Sequence, residues 1–511
     1  WTRSQQDQAA YQAAADVRMV ATASAPLPGW AAGSAIRALP GVTRAMPVER
    51  QPFAVSGTIR DGVLLAVDPA TAATMLPSSA VRGADPALAL GALAAARPTF
   101  AAVPLPGQPT VLRLSLRLMT TSGQDLEGAS MTVQVVLRDH DGRFYRVVPN
   151  LEVPVDGAVH AVDVPLVGTL NGTALRPTYP LALEAVQVQS SLGPDVSGRA
   201  VLLGVSVLAD PAGPATPVQL DPAPLAQALI PVGDGPPVTT DLWFAPDRGR
   251  TTLDAVVSQT LLDLTGSVVG DHVPISTSGG MALSLHIVGV TTLFPPLDPA
   301  SPFVVVDEPT LDVERWVSTR DTANTAEWWL QVDPAAAATV AATLAQRPFA
   351  ATQVVGRDAL AHALLTDPVA LGTVGALLLG AVAAIAFAAI GFVVSAIVST
   401  TERTGELALL RALGLSARQL RAWLSLEDAA LLLLGLLGGA LLGLLMAWLV
   451  LPFTTLAANG GAPVPPPVVE VPWSVGAVLG LVAVALLVAT VVIIARALPR
   501  IRLATVLRAG E

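Results

Sequence analysis

The chain has 511 residues, of which 52% are hydrophobic and only 13% are charged. Soluble domains carry about 25% charged residues, so part of this chain is expected to lie in lipid, and its length predicts more than one domain. The formal net charge of −10 excludes a nucleic-acid partner, because proteins that bind nucleic acids present basic surfaces.

Two residue types are missing from the sequence. Without cysteine, the chain has no disulfide, no thiolate metal ligand and no cysteine nucleophile. The 29 basic residues are all arginine. A Walker A loop needs a lysine to reach the phosphates of ATP, so a conventional ATP site is excluded. If ATP is used, a separate subunit must bind it.

Residues 1–97 mix strand and helix signals. The segments AADVRMVAT (14–22) and GVLLAVDP (62–69) predict strands, and GWAAGSAIRALPG (29–41) predicts a short helix that ends at its Pro-Gly pair. We assign this region to the first half of an α/β domain.

Residues 98–212 show strict alternation of apolar and polar side chains. The stretch VLRLSLRL places four leucines on one face of a strand, and MTVQVVL, HAVDVPL, LALEAVQVQ and VLLGVSVL follow with turns between them. Short strands at this spacing predict a β-sandwich of jelly-roll type. The leucines are Leu112, Leu114, Leu116 and Leu118.

The segment RDHDGRF, residues 138–144, allows two interpretations. Its aspartates resemble a calcium loop, but the EF-hand spacing with its closing glutamate is missing. A tight Asp-Gly turn joining two strands explains the same residues, and we favour it.

From 213 to 368 the mixed signals return after a Pro-rich linker. LDAVVSQTLLDL (253–264) predicts a helix, whereas ALSLHIVGVTTL (282–293) and FVVVD (303–307) predict strands. The sandwich is therefore expected to be inserted between the two halves of one α/β domain.

No catalytic motif is found. The five histidines lie far apart without metal-ligand spacing, although they can still converge in space, and no GxSxG elbow occurs. We expect no metal site, no catalytic residue and no enzymatic activity of the chain itself.

Residues 369–511 contain three charge-free stretches of membrane length, within 369–401, 429–469 and 471–495, which predict spans at about 371–398, 429–452 and 473–496. The run LLLLGLLGGALLGLLMAWLVL is apolar on every face, which favours a lipid-exposed span over a core helix. The predicted fold class is a membrane protein: a large extracytoplasmic α+β domain with an inserted, jelly-roll-like β-sandwich, followed by three transmembrane α-helices.

The arginines orient these spans. They cluster in the connection 401–428 and in the C-terminal tail, and by the positive-inside rule both segments are cytoplasmic. Residues 1–368 are then outside a plasma membrane that the chain crosses several times. Because the opening WTRSQQDQ contains no signal-peptide core, a preceding transmembrane helix in a longer polypeptide is expected.

The connection TERTGELALLRALGLSARQL predicts a turn between two helices. Gly414 stops the first helix, and Ser416 with Gln419 matches the capping box S-x-x-Q that starts the second. Such a short charged elbow suits insertion into a groove of a soluble partner. Its charges can also serve only to fix topology, with Arg403 and Glu406 pairing locally.

This segment resembles FtsX-like ABC-transporter permeases of the MacB and lipoprotein-releasing type, in their C-terminal portion. The resemblance rests on the pattern R-x-x-E-x-A-x-L-R-A-L-G and on the SARQ sequence after it. It implies a dimer of separate ATPase subunits that carry ATP and Mg, a second permease subunit or half, and no cofactor in this chain. The residues implied to couple to the ATPase are Arg403, Glu406, Arg411, Gly414, Ser416 and Arg418.

The implied function is coupling of ATP hydrolysis to motion of the extracytoplasmic domain, in export or extraction of a lipid, lipoprotein, peptide or drug-like substrate. Two alternatives remain: a transmembrane regulator that binds cell-wall enzymes, and a carbohydrate-binding role for the sandwich. In the second span, glycines at every fourth residue predict a helix-packing face, at Gly435, Gly439 and Gly443.

Overall fold

The structure is a computed structural model. It describes residues 2–21, 26–76, 86–99, 102–120, 130–149, 152–190, 198–220, 227–230, 238–243, 252–323, 326–402, 414, 416–454, 464–465, 474, 476–478, 480–481, 484–485 and 488. The chain divides into an N-terminal unit, Gln5–His362, and a C-terminal unit formed by Trp1–Ser4 and Ala363–Glu511.

The elements of the described residues are numbered in chain order. The helices are α1 (Thr2–Ala13), α2 (Gly29–Arg37), α3 (Pro69–Met75), α4 (Pro86–Ala96), α5 (Gln259–Thr265), α6 (Glu308–Thr319), α7 (Ala337–Leu344), α8 (Arg357–Leu365), α9 (Pro368–Glu402) and α10 (Ala417–Thr454). The strands are β1 (Val17–Ala21), β2 (Val42–Val55), β3 (Ile59–Val67), β4 (Val103–Leu105), β5 (Val111–Thr120), β6 (Ser130–Arg138), β7 (Phe144–Val147), β8 (Glu152–Pro154), β9 (Val159–Pro165), β10 (Gly168–Leu170), β11 (Thr173–Leu175), β12 (Leu181–Ser190), β13 (Gly198–Leu208), β14 (Thr216–Pro217), β15 (Gln227–Ile230), β16 (Val238–Trp243), β17 (Leu253–Ser258), β18 (His272–Thr277), β19 (Ala282–Thr291), β20 (Phe303–Asp307), β21 (Glu327–Val332) and β22 (Ala351–Gly356).

One end of the largest sheet has a ferredoxin-like arrangement. Its strands lie in the order β22-β1-β21-β2, each antiparallel to its neighbours. Helix α2 connects β1 to β2 and α7 connects β21 to β22, so two βαβ units interlock. Ile36 of α2 and Val340 of α7 belong to the same core as Trp328 and Leu330 of β21, so both helices cover one face of the sheet.

The other end of this sheet closes into a barrel. The first half of β2 pairs with β21, and its second half pairs with β3 and β18. From β3 the order continues through β20, β17 and β19 to β18, which returns to β2 where Thr277 lies opposite Phe53. Leu64 of β3 belongs to the interior core, whereas its neighbour Leu65 packs with α3 and α4 outside.

The segment LDAVVSQTLLDL is predicted to be helical throughout, and this prediction is wrong for its first half. Leu253–Ser258 form β17 between β19 and β20, and α5 begins only at Gln259. Ser258 caps this helix, because its hydroxyl oxygen accepts a hydrogen bond from the backbone N–H of Leu261 at 3.1 Å. Pairing of the β-branched Val256 and Val257 within the barrel overrides the helical periodicity.

Between α4 and β17 the described residues form two large antiparallel sheets with one shared apolar core, a β-sandwich, and a separate two-stranded sheet of β10 and β11. One sheet has the order β16-β12-β6-β7, with β4 on β12 and β8 on β6; the other has the order β14-β13-β5-β9, with β15 on β13. The predicted alternation in β5 is confirmed, since its leucines are each 0% exposed: Leu112, Leu114, Leu116 and Leu118. The description as a jelly roll stays a prediction.

The sandwich sheets extend beyond residue 212, where the sequence places their end. Strand β15 pairs with β13, and β16 pairs with β12 over six residue pairs from Ala185–Trp243 to Ser190–Val238. The Pro-rich linker therefore lies, in sequence, between strands of the sandwich and not after its last strand.

The described residues of the C-terminal unit include two long helices, α9 and α10. Helix α9 begins where Asp367 accepts a hydrogen bond from the N–H of Val369 at 3.0 Å, with Pro368 as its first residue. Helix α10 starts at Ala417, so residues 417–428 of the predicted cytoplasmic segment continue directly into the second apolar stretch. The described residues between 474 and 488 are helical, and the third span stays a prediction.

Candidate functional site

The predicted ATPase-coupling segment is described only in part. Arg403, Glu406 and Arg411 fall within 403–413 and lie outside the described residues. Gly414 is described and has a φ of +99°, in the region that favours glycine. Arg418 lies in the first turn of α10.

The capping box at the start of α10 is confirmed. The Gln419 side-chain oxygen accepts a hydrogen bond from the N–H of Ser416 at 3.0 Å, and the Ser416 hydroxyl accepts one from the N–H of Gln419 at 3.4 Å. These reciprocal bonds satisfy N–H groups that a helix start leaves without partners. They fix the start of α10, where the sequence predicts that a new helix begins.

The three glycines of the predicted packing face lie on one stretch of α10. Within the described part of the chain, nothing lies within 4 Å of a Cβ placed on Gly435, Gly439 or Gly443. Removal of side chains at this spacing leaves a flat surface that a second helix can approach. The surface is open, and its packing role is a proposal.

One helical segment is long and apolar enough to cross a membrane. Leu371–Gly391 has a mean hydropathy of 2.4 and is 0% buried. In α10 a shorter apolar run covers Leu433–Met446. Among the residues described, the three predicted spans are therefore represented by one clear candidate.

In the N-terminal unit, helix α6 joins the barrel to the sandwich. Leu311 packs into the barrel core, whereas Val313 and Trp316 pack against Val136, Phe144 and Ala185 of the sandwich. The Trp316 and Phe144 rings stack with their centroids 6.5 Å apart. Every residue from Glu308 to Trp316 is buried, so this helix is the centre of an interface within the unit.

The sandwich meets α6 through the turn between β6 and β7, residues 139–143, which we call the junction turn. The predicted Asp-Gly turn is confirmed: the N–H of Gly142 donates to the Asp139 carbonyl at 3.1 Å, and Gly142 has a φ of +84°. The Asp139 carboxylate accepts hydrogen bonds from the N–H groups of Asp141 and Arg143, both at 3.0 Å. Arg37 of α2 holds Asp141 at 2.6 and 2.7 Å.

Buried carboxyl groups are concentrated at this junction. Arg315 contacts both Asp312 and Glu49 of β2, and Asp312 also accepts a hydrogen bond from the N–H of Phe144 at 3.3 Å. Burial raises the pKa of Asp312 to about 6, against the opposing effect of Arg315. Burial also raises the pKa of Asp139 to about 7 and holds the pKa of Glu308 well above its usual value.

Beside the junction lies an open cleft of about 740 Å³ where the ferredoxin-like end, the barrel and the sandwich meet. Three of its four lining arginines pair with carboxylates: Arg37 with Asp141, Arg97 with Asp307 and Asp68, and Arg138 with Glu184. The fourth, Arg44, is exposed and donates a hydrogen bond to the Thr74 hydroxyl at 2.6 Å.

The described histidines offer little chemistry. His272 and His286 lie opposite each other on β18 and β19 with ring centroids 5.0 Å apart, and His286 Nδ1 is 2.6 Å from a carboxylate oxygen of Asp254. No group of three or more metal-ligating side chains is found within the described ranges. Sequence reasoning missed the acidic junction, although Glu308, Asp312 and Arg315 share a helix face.

A family model described as FtsX-like permease C-terminal matches residues 378–499. These residues form an FtsX-like permease domain. The resemblance inferred from the R-x-x-E pattern is thereby confirmed. No curated protein matches the chain.

The FtsX-like domain contains all the residues predicted for coupling and helix packing, from Arg403 to Gly443. Domains of this family are membrane components of ABC transporters, generally without catalytic activity, and they work with an ABC ATPase. The chain is therefore a membrane protein with a permease-type ABC transporter component.

Proposed function

We propose that this chain is a permease subunit that couples ATP hydrolysis on a separate ATPase dimer to motion of its N-terminal unit outside the cell. The observation that carries the proposal is the FtsX-like match over 378–499, which includes the charged elbow between α9 and α10. Residues 1–511 contain no lysine and therefore hold no conventional Walker A loop, which is consistent with ATP binding outside these residues.

The elbow is the proposed contact with the ATPase. Arg403, Glu406, Arg411 and Arg418 supply charge, while Gly414 and Ser416 set the reversal of the chain. Arginine forms planar, two-point contacts with carboxylates, which suits a fixed docking geometry. The open glycine surface of α10 is proposed to pack against a second permease subunit or half.

The proposed substrate class is a lipid, lipoprotein, peptide or drug-like molecule that is exported or extracted at the outer leaflet. Residues 1–368 are proposed to be extracytoplasmic, and 401–428 and the tail cytoplasmic, from the distribution of arginine. ATP and Mg are proposed to bind to the ATPase dimer and not to this chain.

A tagged full-length chain tests the proposal when it is purified from its own cells in mild detergent. We expect the eluate to hydrolyse ATP, and we expect Arg411→Glu to remove that activity by releasing the ATPase. Arg502→Glu, a charge reversal in the C-terminal tail, is the matched control and should keep it. An eluate without ATPase activity in the wild type contradicts the proposal.

The sandwich favours a second candidate, a transmembrane regulator that binds cell-wall enzymes or glycans. Its two large sheets share an apolar core, as expected of a separate binding module, although Trp30 of α2 packs against both this core and that of the ferredoxin-like end. A hydrolase or glycan that co-purifies with the chain, in place of a lipid or lipoprotein, would decide for this candidate.

A further inference from the structure

The least expected feature of the N-terminal unit is a carboxyl group buried without a hydrogen-bond partner. Glu308 is 1% exposed, and within the described residues neither of its carboxylate oxygens has a hydrogen-bond donor. An ionised carboxylate in such a position loses its hydration with no bond to replace it. A protonated carboxyl is the form that this environment tolerates.

The neighbours of Glu308 add negative charge. Asp312 on the same helix, Asp139 in the junction turn and Glu49 on β2 all act on it, and Arg143 opposes them. Arg315 adds a second cation, bound to Asp312 and Glu49. The four carboxyl groups therefore outnumber the two guanidinium groups that face them.

Arg143 is only partly available to the carboxyl groups. One of its guanidinium nitrogens lies 3.4 Å from the Gly29 carbonyl oxygen, and its guanidinium carbon lies 5.4 Å from the centre of the Trp328 ring. The junction turn contains one other ion pair, between Asp141 and Arg37, whose charges compensate each other. Tyr145 of β7 also lies near Asp139, and His140 follows Asp139 in the junction turn.

The cluster lies where two bodies of the N-terminal unit meet. Glu308, Asp312 and Arg315 belong to α6, which follows barrel strand β20, whereas Asp139 and Arg143 belong to the sandwich turn. Charge that accumulates here repels across the contact, and protons bound here remove the repulsion. The contact itself is close, because a Cβ on Gly142 would lie 2.7 Å from Pro309 Cβ.

We propose that Glu308, with Asp312 and Asp139, forms a proton-binding site that fastens the sandwich to the barrel. The attachment is tight while the site holds its protons, and it loosens when they are released at higher pH. The proposal does not depend on the transport function, because it concerns contacts within the N-terminal unit alone.

The direction of the pH effect follows from how many protons the attached and detached states bind. In the detached state these carboxyl groups are exposed and have pKa values of about 4, whereas in the attached state their pKa values are raised. The attached state therefore binds more protons above about pH 4, and its stability falls as pH rises until the raised groups have titrated. Each proton released raises the detachment constant by up to about tenfold per pH unit.

Spin-label distances in the full chain in lipid nanodiscs test the proposal. Because the chain has no cysteine, Val159→Cys on the sandwich and Val268→Cys on the barrel give two unique labelling sites, which are 50% and 62% exposed. Between about pH 5 and about pH 9 we expect a single distance to be joined by a second, broader population. The same distribution at both pH values overturns the proposal.

Glu308→Gln is the decisive variant, because its amide is uncharged and similar in shape to the protonated acid. We expect it to keep the single distance at alkaline pH, and an unchanged pH response would overturn the proposal. Asp163→Asn, which removes an exposed partner of Arg113, is the control and should respond as the wild type does. If the Gln variant does not fold, an infrared titration of the wild type replaces it. We expect the absorption band of a protonated carboxyl group at neutral pH and its loss at alkaline pH. Absence of this band at neutral pH refutes the proton-binding site.

Discussion

Gly142→Ala probes how closely the sandwich approaches α6. Gly142 has a φ of +84°, and an alanine Cβ there would lie 2.7 Å from Cβ and 2.8 Å from Cγ of Pro309. The left-handed backbone costs a non-glycine residue about 1–2 kcal/mol. Overpacking against a proline ring adds about 1–3 kcal/mol, because the ring cannot rotate away. We therefore expect a loss of about 2–5 kcal/mol in the free energy of unfolding.

Gly157→Ala separates the two contributions. Gly157 lies in the turn before β9 with a φ of +73°, but nothing in the described part of the chain lies within 4 Å of the position that an alanine Cβ would take there. It should cost only the backbone part, about 1–2 kcal/mol. Urea unfolding of the full chain in detergent, followed by tryptophan fluorescence, measures both variants, with the transition of the N-terminal unit analysed separately. Equal losses for the two alanine variants would refute the close approach of the junction turn to Pro309.

Three further results are expected. Arg315→Ala leaves Asp312 and Glu49 without their shared cation and should lower the free energy of unfolding of the N-terminal unit by about 3–5 kcal/mol in urea. A loss below about 1 kcal/mol would show that these ion pairs are not buried. Ser416→Ala removes one half of the capping box and should cost about 1 kcal/mol, seen as roughly fivefold faster hydrogen exchange in the first turn of α10 and nowhere in α9. For the proposed orientation, a membrane-impermeant maleimide should label Val268→Cys in intact cells and Arg502→Cys only after permeabilisation, and the reverse pattern would contradict it.

Local chemistry makes several elements predictable from the sequence. The leucines of β5 recur every second residue because one face of the strand is buried, and the Asp-Gly pair at 141–142 forms its turn from residues next to each other. The capping box is likewise predictable, because it depends only on Ser416 and Gln419, which lie three positions apart. The arginine and glutamate pattern of the elbow suffices to indicate the FtsX-like domain.

Long-range pairing is not predictable in the same way. The barrel closes where Thr277 lies opposite Phe53, and β16 pairs with β12 although the Pro-rich linker separates them in sequence. No local sequence pattern indicates either pairing. The sequence at 253–258 predicts a helix in place of the strand because its apolar spacing fits both periods. Charged residues of α6 resemble a solvated face, and only the presence of Trp316 on the same side as Asp312 and Glu308 signals that this face is buried.

The order of connections determines where force enters the N-terminal unit in the proposed mechanism. Strand β22 leads through α8 into α9, so displacement of α9 is applied at β22, the edge of the ferredoxin-like sheet. Arg357 fastens that edge to Asp16 just before β1, through a backbone hydrogen bond of 2.9 Å and an ion pair of 2.7 Å.

From this edge a continuous hydrogen-bonded sheet runs to β2, which the barrel shares, so the ferredoxin-like end and the barrel move together. The sandwich is attached differently, because α6 and α2 reach it through side chains and no strand pairing joins it to the rest of the unit among the described residues. Side-chain contacts resist displacement less than a shared sheet, so in the proposed mechanism the contacts of the sandwich yield before the sheet does. In the proposed mechanism, the proton-binding cluster at α6 sets how much of a displacement applied at β22 reaches the sandwich.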